Sequence, residues 1–138
     1  MSFRREDTLQ RALETYRGKG LSPYPVRVDL GAKGVWFRVF TGHFETRQEA
    51  QAFILEHPVS DGEARNTRFA VLIGTHASRQ AAEAEMRALQ SRGCHPYVIE
   101  EGPSRFRIYS GAFYRDEDAK TELSRLASKG VEGRIVKR

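Results

Sequence analysis

The chain has 138 residues, 23 of them Lys or Arg and 18 Asp or Glu, for a formal net charge of +5 with 39% hydrophobic and 30% charged residues. That length fits one ordinary domain or two very small ones, and the mixed composition excludes a disordered tail. No apolar stretch approaches the roughly 20 residues of a spanning helix, no apolar signal core follows Met1, and the lone Cys94 excludes a disulfide framework or thiolate metal cluster.

In chain order, Leu9, Ala12, Leu13 and Tyr16 recur at helical spacing. The helix ends before Gly20-Leu21-Ser22-Pro23-Tyr24-Pro25-Val26, a turn leading into a strand. Phe37-Arg38-Val39-Phe40-Thr41-Gly42 alternates as a half-buried strand does. Thr46-Arg47-Gln48-Glu49 forms a capping box for a helix striped by Ala50, Phe53 and Ile54. Val59 to Asn66 is polar loop material.

The pattern then returns. Phe69-Ala70-Val71-Leu72-Ile73-Gly74 reads as a strand, Ser78 as an N-cap, and Ala82, Met86 and Leu89 as the buried stripe of a helix. Gly93-Cys94-His95-Pro96-Tyr97-Val98-Ile99 repeats the earlier glycine-to-tyrosine turn and strand, and Glu100-Glu101 lie in a hairpin turn ending in Gly102-Pro103. Phe106-Arg107-Ile108-Tyr109-Ser110-Gly111 is the third strand of its kind. Asp116 is expected to cap the helix striped by Ala119, Leu123 and Leu126, and Val131 to Val136 closes as a strand.

The three glycine-ended strands recur about every 35 residues, each followed by an alanine-led helix. Residues 67–138 therefore read as a complete strand–helix–strand–strand–helix–strand module. Residues 7–60 read as an incomplete αββα copy lacking its first and last strands, joined by a linker at 61–66. The chain is expected to begin partway into the first repeat, and the 67–74 strand is an alternative partner for that unit's short sheet.

The second half resembles the SPOR (sporulation-related repeat) family, whose strands follow an aromatic-x-Val-Gln-x-Gly-Ser-Phe and a Tyr-Arg-Val-x-x-Gly-Pro-Phe pattern. The matching stretches are Phe69 to His76 and Phe106-Arg107-Ile108-Tyr109-Ser110-Gly111-Ala112-Phe113, with Phe37 to Phe44 as the early counterpart. The resemblance implies an α+β, ferredoxin-like βαββαβ antiparallel sheet with helices on one face. It also implies binding of bacterial peptidoglycan, typically glycan strands stripped of peptide, and delivery of a carrier protein to the division septum. Family members usually carry an amino-terminal membrane anchor, so a periplasmic or cell-envelope location is implied as well. The family's binding-face Gln is replaced by Leu72, with Phe40 and Tyr109 at the corresponding places, and its Ser-Phe by Thr75-His76.

Strand parity gives a separate argument. Phe37, Val39 and Thr41, Phe69, Val71 and Ile73, and Phe106, Ile108 and Ser110 share the face expected to pack on helices. The opposite face then carries Trp36, Arg38 and Phe40, then Arg68, Ala70 and Leu72, then Arg105, Arg107 and Tyr109. Aromatic rings offer flat apolar area to sugar C–H faces, and guanidinium forks a carboxylate. Glycan freed of peptide exposes the lactyl carboxylate of muramic acid, a fitting counter-charge for Arg38 and Arg107. The expected glycan contacts are Arg107, Tyr109, Leu72, Ala70, Arg38, Phe40, Trp36 and Arg105, with no cofactor and no metal.

Catalytic readings find no constellation. His43, His57, His76 and His95 are dispersed, Cys94-His95 are adjacent on an extended chain, and nothing converges on Glu100-Glu101. RNA-recognition motifs share the βαββαβ order and would use Phe40 and Tyr109 for base stacking. In the third strand, however, the glycine follows the aromatics instead of interrupting them. A protein-interaction module using the aromatic face is the remaining alternative.

Overall fold

The computed structural model describes residues 2–42, 44, 46–56 and 65–137. The chain forms two compact units, Met1–Asn66 and Thr67–Arg138. The expected linker at 61–66 and the loop before it fall largely outside the described residues, as do His43 and His57.

The first unit holds β1 (Ser2–Phe3), α1 (Glu6–Gly18), β2 (Pro23–Asp29), β3 (Val35–Thr41) and α2 (Arg47–Glu56), with strand order β1-β3-β2. Acidic Glu6 and Asp7 sit in the first turn of α1 and Arg17 in its last, complementing the helix dipole. Its stripe buries Leu9 and Leu13 against Phe37, with Val39 packed alongside. An opening strand was not expected here, yet Ser2 and Phe3 pair antiparallel with Arg38 and Phe37. The described copy is therefore βαββα, with an opening strand of two residues.

The apolar stripe of α2 does not become core. The Thr46 hydroxyl accepts from the Glu49 amide at 3.2 Å, as its capping box requires. None of the helix's side chains is buried, however, and Leu55 is 82% exposed. The reason lies in the sheet: the equivalent helix of the second unit packs on three strands, of which, among the described residues here, one counterpart is two residues long and another is lacking.

The second unit comprises β4 (Phe69–His76), α3 (Arg79–Ser91), β5 (Pro96–Glu100), β6 (Phe106–Phe113), α4 (Asp116–Ser128) and β7 (Arg134–Lys137). Its four strands are antiparallel in the order β5-β6-β4-β7, a ferredoxin-like arrangement. The core is Val71, Ala82, Leu89, Cys94, Phe106, Ile108, Leu126 and Val131, with Ile73, Met86, Val98 and Leu123 against it. Of the strand residues assigned by parity to the helix side, Val71, Phe106 and Ile108 lie in this core and Ile73 packs against it. Cys94 is a buried thiol within that cluster.

Ser78 caps α3 by accepting from the Ala81 amide at 3.2 Å. Asp116 does not cap α4. Arg115 occupies the N-cap without a side-chain bond, and Asp116, Glu117 and Asp118 all lie in the first turn, where the dipole favours negative charge. Helices α1, α3 and α4 close alike, through Leu21 N–H to Tyr16 O, Cys94 N–H to Leu89 O and Val131 N–H to Leu126 O at 3.1, 3.1 and 2.9 Å.

One buried polar group crosses from helix to sheet. Glu122 is 4% exposed. It accepts from the Ser110 hydroxyl at 2.8 Å and from Arg125 Nη2 and Nε at 2.6 and 3.1 Å. Both of its carboxylate oxygens thus have partners, one of them a cation, the condition under which a buried charge is tolerable.

Candidate functional site

The face of each sheet opposite its main helix contacts is set by strand register. In the second unit Tyr97 lies across from Tyr109, Ile99 across from Arg107, and Leu72 across from Tyr109 on the other side. In the first unit Tyr24 lies across from Phe40, Val26 across from Arg38, and Val28 across from Trp36. The predicted site residues Arg107, Tyr109, Leu72 and Ala70 therefore share one face of one sheet, and Trp36, Arg38 and Phe40 one face of the other.

Both faces are built around the same pair of rings. Tyr97 stacks on Tyr109 with centroids 5.8 Å apart and planes 29° apart. Tyr24 stacks on Phe40 at 5.9 Å and 20°. Each tyrosine is anchored to the backbone of the glycine two residues after its stacking partner: Tyr97 donates to Gly111 O at 2.7 Å, and Tyr24 to Gly42 O at 3.4 Å. These glycines have φ of +77° and +76°, open only at a cost to other residues. A Cβ on either would also overlap the ring two residues on, Phe113 or Phe44. Gly111 sits where β6 carries an extra residue opposite β4, so the bulge carries the anchor.

The rings differ from expectation in exposure. Tyr109 was expected to present its ring to solvent, but it is only 1% exposed. Its face lies on Tyr97 and its phenol donates to Glu101 Oε1 at 3.1 Å. Leu72 and Ala70, on the central strand β4, are also buried. Trp36, Arg38, Phe40 and Arg107 are half-buried, and Arg105 and Arg68 are exposed. In the first unit Trp36 Nε1 donates to Lys33 O at 2.9 Å, and the Arg4 guanidinium lies 5.4 Å from the indole centroid.

Arg107, Tyr109 and Glu101 form a cluster at the edge of the second face. Arg107 Nε lies 3.3 Å from Glu101 Oε2. Its hydrogen bond with Tyr109, and then the Glu101 charge, hold the Arg107 guanidinium above its ordinary range. Burial pushes the Tyr109 phenol above its usual 10.0; Arg107 pulls it down and Glu101 adds to the rise. Sequence reasoning did not place Tyr24, Tyr97 or Glu101 at the faces. The repeated Pro-Tyr after a helix-ending glycine was the signal available for the two tyrosines.

Among the described residues no group of His, Cys, Asp and Glu is arranged to hold a metal ion, and no helix is long and apolar enough to cross a membrane. His76 instead pairs with Glu85 of α3.

The SPOR domain family model matches residues 1–58 and 65–137. The chain belongs to this family and carries two copies of its domain. SPOR domains are binding domains, not catalytic ones, with peptidoglycan as their ligand, and they occur in cell-envelope and division proteins. No curated protein and no solved structure matches the chain.

Proposed function

We propose that this chain is a non-enzymatic module whose two sheet faces bind peptide-free glycan strands and thereby direct an envelope or division protein to the septum. The observation that supports this reading most is the recurrence, in both units, of an arginine two residues before the stacked ring: Arg38 with Phe40 on Tyr24, and Arg107 with Tyr109 on Tyr97. A polymer of alternating sugars, each second one bearing a lactyl carboxylate, offers apolar ring faces and anions in regular alternation. Guanidinium meets the carboxylate with parallel hydrogen bonds, and Trp36 and Phe40 offer apolar area to the sugar rings.

In this arrangement the buried residues support, and the half-buried and exposed ones touch. Tyr109, Leu72 and Ala70 hold β6 and β4 at fixed spacing. Arg107, Arg105, Arg38, Trp36 and Phe40 meet the ligand. The bound protein resides at the periplasmic face of the cell envelope, where this polymer lies.

Co-sedimentation with purified sacculi, before and after amidase treatment, tests the reading. Retention that increases after amidase treatment and declines only mildly with salt is expected. Absence of retention on both preparations overturns it. Retention by single-stranded RNA, lost steeply between low and physiological salt, would assign the faces to nucleic acid instead.

A further inference from the structure

The two faces match ring for ring, but at one register position they differ in charge. Val28 lies across from Trp36 in the first unit. In the second, Glu101 follows the last ladder residue of β5, and its amide donates to the carbonyl of Arg105 at 2.8 Å. Glu101 is thus the positional equivalent of Val28, and Arg105 that of Trp36. One unit places an isopropyl group beside its arginine strand, and the other a carboxylate.

That carboxylate accepts a hydrogen bond from the Tyr109 phenol and pairs with Arg107 by charge. One oxygen accepts from Tyr109 at 3.1 Å, and the other lies 3.3 Å from Arg107 Nε. The Glu101 side chain is itself 36% exposed and stands at the start of the exposed turn 101–105, on the β5–β6 hairpin. It is therefore a solvent-reachable acid in contact with a buried phenol and a half-buried guanidinium.

We propose that Glu101 is an internal carboxylate occupying the anion position of the second unit, and that a ligand carboxylate enters by displacing it. This rests on the glycan reading above. Binding at the second unit then carries the cost of breaking the Glu101 contacts, and only a ligand presenting its own carboxylate restores a counter-charge to Arg107. Uncharged polysaccharide gains nothing from displacement. Glu101 is in this sense a selectivity residue: it raises the threshold for weak or neutral ligands. The first unit, with Val28 at this place, has no such threshold.

The test compares wild type with Glu101→Gln on amidase-treated sacculi and on the same material after its carboxyl groups have been blocked as amides. Glu101→Gln keeps an acceptor for the Tyr109 phenol but removes the competing charge. It is expected to tighten binding to the carboxylate-bearing glycan by about two- to fivefold, the range of a partly exposed ion pair, with no gain on the blocked glycan. The converse variant, Val28→Glu, is expected to weaken binding by a similar factor, and it keeps the test decisive should Glu101→Gln fold poorly. Unchanged or weaker binding by Glu101→Gln, with wild type retained, overturns the proposal and makes Glu101 a positioning residue for Arg107. A gain that persists on the blocked glycan overturns it too. If wild type is not retained at all, the glycan reading itself falls, and this proposal with it.

Discussion

The Tyr97 phenol donates to the Gly111 carbonyl at 2.7 Å while its ring stacks on Tyr109, so one side chain ties strand β5 to both the ring and the bulge of strand β6. The same bond in the first unit, Tyr24 to Gly42, is longer at 3.4 Å. Tyr97→Phe is expected to keep the stack and lose the bond, costing about 1–2 kcal/mol because a buried carbonyl loses its partner. Tyr24→Phe is expected to cost less. Denaturant titration of the two variants checks the order, and an equal loss would contradict it.

Gly111 serves this anchor in two ways, through its positive φ and through the room it leaves for Phe113. Gly111→Ala is expected to destabilise by at least the roughly 1–2 kcal/mol of a left-handed non-glycine residue. Adding Phe113→Ala removes the steric part, so the double variant should lose less than the sum of the singles. A thermodynamic cycle from urea unfolding measures that coupling.

Glu122, with Ser110 and Arg125, is the buried charge of the second unit. Glu122→Ala leaves Arg125, whose side chain is 15% exposed, without its carboxylate and is expected to cost about 3–5 kcal/mol. That is a large share of the stability of a small domain. Glu122→Leu with Arg125→Met is expected to be milder than either single change, as thermal unfolding monitored by circular dichroism will report.

The Tyr109 phenol is raised above its ordinary 10.0, so the folded protein favours its neutral form. The stability this contributes is fully present below pH 10.0 and is lost as pH rises through the higher folded value. Ultraviolet difference titration should show a tyrosine ionising above pH 10.0, and Tyr109→Phe should remove that step. A titration unchanged by Tyr109→Phe would contradict the assignment.

The sheet faces were legible in the sequence because a strand's period of two is rigid. Once Phe106 and Ile108 were core, Arg107 and Tyr109 had to lie opposite. The Thr46 and Ser78 caps were legible for the same local reason. Asp116 was not, because three successive acids satisfy a helix start electrostatically and leave the capping residue undetermined. Ser2–Phe3 was missed because two residues are too few to alternate. The burial of Tyr109 was missed because it depends on Tyr97, Glu101 and Arg107 meeting across a hairpin. Local pattern carries no record of such a meeting. The bulges of β4 and β6 were equally invisible beyond the glycine that hosts one of them.

The central claim is that an arginine on each sheet face meets a glycan carboxylate. The most direct measurement is equilibrium binding to amidase-treated sacculi of wild type, Arg38→Ala, Arg107→Ala and the double variant, each confirmed folded by circular dichroism. Each single change is expected to weaken binding several-fold, and the double change to abolish retention. Full retention by the folded double variant would contradict the account and place the glycan elsewhere on the molecule.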